Sequence, residues 1–301
     1  MSGFRLRLSF SMLLLVSAHV LADTNMPAYV LELPASVSDV FVAEAGASTL
    51  YRFQQDDDGL TLAEQSYVSI GQNGVGKQQA WDRKTPLGIY FVVDQLDTRR
   101  LHEKYGITAF PLDYPNIWDE LKERTGYGIW IHGVLVGGGP RPPLDTDGCL
   151  ALPNENLRML ARRFVPLVTP VIVTRDLRWR SASELNALRD DLRSALAEWV
   201  DALAKNDMHA YLSLYATDFS YRGMTLGEWA SLRVQTMAEK SDADVTIDEL
   251  LLLADPEEEG LYLSRFRQKI SSAGAETITT KRLYWKRDGD GALKIVAEDN
   301  G

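Results

Sequence analysis

The chain has 301 residues but only one cysteine, Cys149. No intrachain disulfide can form, although exported proteins usually carry their cysteines in pairs. A lone thiol outside the cytoplasm is either buried and inert or kept for its reactivity. Histidine is almost as scarce, with His19, His102, His132 and His209 the only ones. No run of Lys and Arg forms a basic patch, and the formal net charge is −10. Nucleic-acid binding, which depends on neutralising phosphates, is therefore not expected. No segment reaches the roughly 18 apolar residues of a membrane-spanning helix. The glycine-rich stretch from Gly71 to Gly76 is not a phosphate loop, because Lys77 is followed by Gln78 and no clear amphipathic helix comes after it. It reads as a β-bend. The acidic run Asp56-Asp57-Asp58 before Gly59 reads as a hairpin tip rather than a metal site.

What is present starts with a leader. Arg5 and Arg7, the apolar run Leu8 to Val16, and Val20-Leu21-Ala22 have the layout of a secretory signal over residues 1–22, cut near Ala22. The alternative is an uncleaved anchor; either way the working part is periplasmic or otherwise exported. Cleavage removes two arginines and no acids, taking the charge from −10 to about −12. With 45% hydrophobic and 25% charged residues, the remainder is an ordinary globular chain long enough for two domains.

After a short lead at 23–36, residues 37–176 are mostly β. Val37–Ala43, Thr49–Gln54, Tyr67–Ile70, Ile89–Val93, Ile129–Ile131 and Val168–Thr174 read as strands between turn signals. Asn154–Phe164 has helical spacing, with Asn154 a candidate N-cap. A boundary falls near residue 180. Ser181 and Glu184 make a capping box, and Leu188, Leu192, Leu196, Trp199 and Leu203 then recur at intervals of 4, 4, 3 and 4. Further helical pieces and four strand-like runs complete residues 181–301, which gives an α+β plan.

A thiol needs a base before it attacks, since free cysteine near pKa 8.5 is mostly protonated at neutral pH. His209 lies in the second domain and His102 in a charged, solvated segment. His132 ends a β-rich run and is followed by Gly133, so it is the best partner by elimination. Cys149 follows 17 residues later in Asp145-Thr146-Asp147-Gly148-Cys149. Gly148 permits a tight turn whose successive backbone N–H groups could form an oxyanion hole. Between base and nucleophile, Gly137-Gly138-Gly139 and the proline-rich stretch around Arg141 suit a loop over a cleft.

His132-Gly133, a spacer and Thr146-Asp147-Gly148-Cys149 together resemble the H-G…[ST]-x-G-C signature of the L,D-transpeptidase catalytic domain. Lys84-Thr85-Pro86-Leu87-Gly88-Ile89-Tyr90 is similar to that family's [RK]-T-P-x-G-x-Y segment. The resemblance implies a mainly β sandwich or barrel and a cysteine acyl transfer on the peptide stems of peptidoglycan, with no metal or cofactor. It gives Cys149 the attack on the third stem residue, meso-diaminopimelate, with release of D-alanine, and His132 the proton transfers. Gly133 orients the imidazole through its carbonyl, and the N–H groups of Gly148 and Cys149 face the oxyanion. Arg141, Thr146 and Asp147 stand as substrate-binding candidates. Ala151 stands where many members have an arginine, which fits a divergent branch containing cell-shape L,D-carboxypeptidases and a lipoprotein-releasing amidase. A silent peptidoglycan-binding protein is the reading from another class. Trp199-Val200-Asp201-Ala202-Leu203, Tyr211 to Tyr215 and Tyr284-Trp285-Lys286-Arg287 resemble an NTF2-like α+β cone, with Trp199, Tyr211, Tyr215 and Trp229 expected in its core.

Overall fold

The computed structural model describes residues 25–57, 59–139, 141–238, 244–272 and 275–301. The leader at 1–22 lies outside the described residues. No helix among those described is long and apolar enough to cross a membrane.

The first domain is built on a five-stranded sheet in the order Gly59–Tyr67, Thr49–Asp56, Asp39–Glu44, Pro170–Thr174, Gly88–Phe91. Pro170–Thr174 runs parallel to Asp39–Glu44 and antiparallel to Gly88–Phe91. Asp56 pairs with Gly59, so Asp56 and Asp57 sit at a hairpin tip, while Asp58 lies outside the described residues. A three-stranded sheet, Leu150–Ala151, Trp130–His132 and Ala109–Pro111, stands against this frame. Alternation along the strands divides the large sheet. Phe41, Ala43, Val171 and Val173 join a core shared with Leu150 and Ile131, whereas Val40, Val42, Ile89, Phe91 and Ile172 point the other way.

The second domain follows the expected plan. Ser181 caps the helix Ala182–Ala204 through a complete capping box with Glu184. The helices Met208–Ser213 and Leu226–Ala238 come next, and then an antiparallel sheet of Asp244–Ala254, Leu261–Ser272, Ala275–Arg287 and Leu293–Asp299. Trp199, Tyr211, Tyr215 and Trp229 are all buried between helices and sheet. The mainly β domain followed by an α+β cone is thus the observed architecture.

The structure adds a feature that the periodicity did not reveal. The lead before Val37 is woven into the second domain: Val30–Glu32 forms the edge strand beside Asp244–Ala254, and Asn25–Pro27 pairs with Trp179–Ser181. The outward face of the first sheet then packs on the outward face of the second. Val40, Val42, Ile89, Phe91 and Ile172 meet Leu251, Leu253, Leu263 and Tyr284 in one continuous core. Polar contacts rim this seam. Arg282 bonds Asp113 at 2.5 Å as well as Asp299, and Arg265 donates to the Leu167 carbonyl at 2.6 Å. The domains are fused by a shared core rather than strung on a linker.

Candidate active site

The strand Trp130–His132 runs parallel to Leu150–Ala151, with Leu150 beside Ile131 and Ala151 beside His132. Ile131 and Leu150 are fully buried in the first-domain core. Strand alternation turns Trp130, His132 and Cys149 to the opposite face, where all three line one cavity of about 780 Å³. The histidine chosen by elimination and the lone cysteine therefore meet at the same cleft.

His132 is 3% exposed, and its Nδ1 lies 2.5 Å from the Gly133 carbonyl oxygen. That contact fixes the neutral tautomer with Nδ1 as donor, leaving Nε2 as the acceptor. The Tyr105 ring meets the imidazole edge-on at 5.1 Å between centroids. Burial pushes the imidazole pKa down to about 4, with Arg141 and Lys104 acting in the same direction and the Gly133 carbonyl opposing. Cys149 is 9% exposed at the floor of the cleft and lies 3.4 Å from the Gly128 carbonyl. Burial raises its pKa, against the lowering effect of the Trp130 backbone amide. Burial thus favours a thiol and a neutral imidazole at neutral pH, both facing one cavity.

Gly148 has φ +126°, and a Cβ there would lie 2.7 Å from the Lys84 carbonyl oxygen. Only glycine fits this turn. The oxyanion expectation changes at this residue, because the Gly148 N–H donates to Thr146 Oγ1 at 3.1 Å. Thr146 is buried, and its hydroxyl also donates to the Cys149 carbonyl at 2.7 Å. Thr146, a substrate-binding candidate, lines the cavity and also holds the turn that bears Cys149. Its hydroxyl is engaged on both sides, and the Gly148 N–H is engaged with it. Asp147 is well exposed on the rim, 3.5 Å from Lys104 Nζ. Arg141 is pinned rather than freely solvated: Nε lies 2.5 Å from Asp145 Oδ2, and the guanidinium also donates to the Asp145 carbonyl at 2.7 Å. Arg141 lines both the main cavity and a second one of about 290 Å³ beneath the triple-glycine loop, where Ala151 also sits.

Asn154 has a different place from the one expected. Pro153 occupies the N-cap position of the helix Asn154–Leu160, and no side chain caps it. Asn154 instead clamps the segment after the histidine: Oδ1 accepts from the Val134 N–H at 3.1 Å and Nδ2 donates to the Val134 carbonyl at 2.7 Å. A Cβ on Gly133 would approach Asn154 Oδ1 to 2.2 Å, and one on Gly106 to 2.4 Å. Sequence reasoning missed this clamp, as it missed Tyr105. The one local signal for Tyr105 was a glycine directly after an aromatic residue. Among the described residues no cluster of three or more His, Cys, Asp or Glu could hold a metal ion.

Residues 38–173 match the model of the L,D-transpeptidase catalytic domain, and residues 191–299 that of the Cds6 C-terminal NTF2-like domain. The chain therefore carries an L,D-transpeptidase catalytic domain followed by an NTF2-like domain. The same two-domain fold occurs in Bd1075 of Bdellovibrio bacteriovorus, with 23% identity and a TM-score of 0.77 over 92% of this chain and 98% of that one. The helical cell-shape determining protein Pgp2 of Campylobacter jejuni is similar too, at 25% identity and a TM-score of 0.73 over 87% of this chain and 91% of that one. No curated protein matches the chain by sequence. Together these likenesses define a peptidoglycan-associated, L,D-transpeptidase-like protein.

Proposed function

We propose that this protein is an exported cysteine acyltransferase cutting the bond between meso-diaminopimelate and D-alanine in peptidoglycan stems. The observation that carries the reading is the shared cleft of Cys149 and His132, with the imidazole oriented by the Gly133 carbonyl.

Because burial favours the neutral forms of both groups, attack is coupled to proton transfer. Nε2 of His132 takes the thiol proton as Sγ bonds to the substrate carbonyl carbon. The tetrahedral intermediate then collapses, the imidazolium returns the proton to the departing amine, and D-alanine leaves. The acyl group remains on Cys149 as a thioester. The backbone N–H of Cys149 serves the oxyanion, while Thr146 fixes the turn. Arg141 and Asp147 lie at the rim, where they can meet a stem carboxylate and ammonium. A mere binding protein needs neither an oriented imidazole nor an unpaired thiol at the base of its cleft.

The acceptor decides the outcome. An amine gives a cross-link, and water gives a tripeptide. The likeness to a cell-shape determining protein over most of both chains favours trimming as the second reading. Incubating the protein with purified muropeptides and analysing the products separates the two. Tetrapeptide converted to tripeptide means trimming, new 3–3 cross-links mean transfer, and unchanged tetrapeptide under all conditions would sink both.

A further inference from the structure

Two large aromatic side chains at the cleft are left uncovered. Trp81 is 87% exposed and Tyr127 is 82% exposed, and both line the same cavity as Cys149 and His132. Scattered exposed apolar residues need no explanation, but two at one catalytic mouth on a braced scaffold do.

The bracing is specific. Trp81 has φ +67°, a left-handed conformation that is unfavourable for a bulky residue. Asp82 holds it there. Its carboxylate accepts from Lys77 Nζ at 2.7 Å and from the N–H groups of Gln78, Gln79 and Lys84 at 2.8, 3.1 and 3.0 Å. Burial alone would raise the Asp82 pKa, yet these donors bring it to about 2, so the carboxylate stays charged and bonded. The loop is also stitched to the one bearing Tyr127. Thr125 N–H donates to the Gln78 carbonyl at 2.9 Å, and Ala80 N–H to Thr125 Oγ1 at 3.1 Å. Gly126 lets the loops touch, since a Cβ there would lie 3.1 Å from Lys77 Cε and 3.2 Å from Ala80 Cα.

We propose that Trp81 and Tyr127 form a stacking platform for a sugar ring of the glycan that carries the stem, so that the site selects glycan-linked peptides. This rests on the function proposed above. A pyranose ring offers an apolar C–H face to an aromatic ring while its hydroxyls remain free for polar neighbours, which Gln72, Arg83 and Lys104 supply around the same cavity. With the third stem residue at Cys149, two further stem residues, about 7 Å of extended peptide, still separate it from the sugar, so the ring lies toward the mouth of the cavity that Trp81 and Tyr127 line. The competing occupant, the diaminopimelate ammonium held over a ring, belongs to the peptide and would be present without any sugar.

The test compares kcat/KM for a disaccharide-tetrapeptide and for the same tetrapeptide without sugar, using the full protein and Trp81→Ala, Trp81→Phe and Tyr127→Ala variants. Because both side chains are exposed, the variants should fold, and circular dichroism checks this. Trp81→Ala should lower kcat/KM on the disaccharide substrate about tenfold through KM, with kcat kept, and leave the sugar-free peptide within about twofold. Trp81→Phe should retain most of the preference. Equal loss on both substrates, or no loss on either, overturns the platform. Binding to peptide-free glycan strands provides an independent reading. If the unaltered protein turns over neither substrate but Trp81→Ala weakens strand binding, the function proposal fails and the platform stands. If strand binding is also unaffected, both fail.

Discussion

Acidification should weaken the fold through His132, by an amount the structure sets. The imidazole is 3% exposed and its pKa is pushed down to about 4, against an ordinary value of 6.5. Since the folded value is the lower one, the unfolded chain binds more protons between those two pH values. The contribution of this group to stability is therefore complete above about pH 6.5, declines on acidification and is lost below about pH 4. At about 1.4 kcal/mol per pKa unit, the loss is about 3 kcal/mol. Other groups titrate in the same range, Asp255 among them with a pKa raised by burial to about 6. The observable is therefore the difference between the unaltered protein and His132→Gln in urea unfolding at pH 7 and pH 4. That difference should shift by about 3 kcal/mol in favour of the variant as the pH falls. Parallel pH profiles would refute the buried, neutral imidazole. For the same reason the acid limb of kcat/KM should fall near pH 4 instead of near 6.5, which a pH–rate profile checks.

Gly148→Ala should leave the chain folded but reduce activity about a hundredfold or more, because the added methyl runs into the Lys84 carbonyl and moves the Cys149 turn; turnover alongside circular dichroism checks this. Arg282→Ala should cost about 3 kcal/mol in denaturant unfolding, since it strands Asp113 and Asp299 at the domain seam, and adding Asp113→Asn should recover part of the loss. A chain ending at residue 180 should aggregate or unfold rather than behave as a free catalytic domain. It uncovers Val40, Val42, Ile89, Phe91 and Ile172, and sedimentation with near-ultraviolet circular dichroism reads the outcome.

The features legible in the sequence were those set by neighbours along the chain. The Ser181–Glu184 capping box and the Asp56–Gly59 hairpin tip formed where local chemistry put them. His132 and Cys149 were singled out by scarcity, and two adjacent strands put both on one cavity. What stayed hidden depends on long-range pairing. Nothing within Val30–Glu32 shows that it will join a strand more than 200 residues away, at Leu252 and Leu253. The fused core did leave a trace in the unalternating runs Val40-Phe41-Val42-Ala43 and Leu250-Leu251-Leu252-Leu253, since two-sided burial removes the polar face of a strand. Asn154 misled because asparagine serves equally as a cap or as a backbone clamp, and only the fold puts Val134 within its reach. The hydrogen bond from the Gly148 N–H to Thr146 Oγ1 was likewise hidden, because only the folded turn brings the two groups together.

The central claim is that the Cys149 sulfur, deprotonated by His132, carries the acyl group. Rapid-quench mass spectrometry of the protein mixed with disaccharide-tetrapeptide tests it most directly. The account predicts a thioester on Cys149 formed together with released D-alanine, slowed about 10²–10⁴-fold in His132→Ala and absent in Cys149→Ala. Release of D-alanine by Cys149→Ala at the unaltered rate would contradict it.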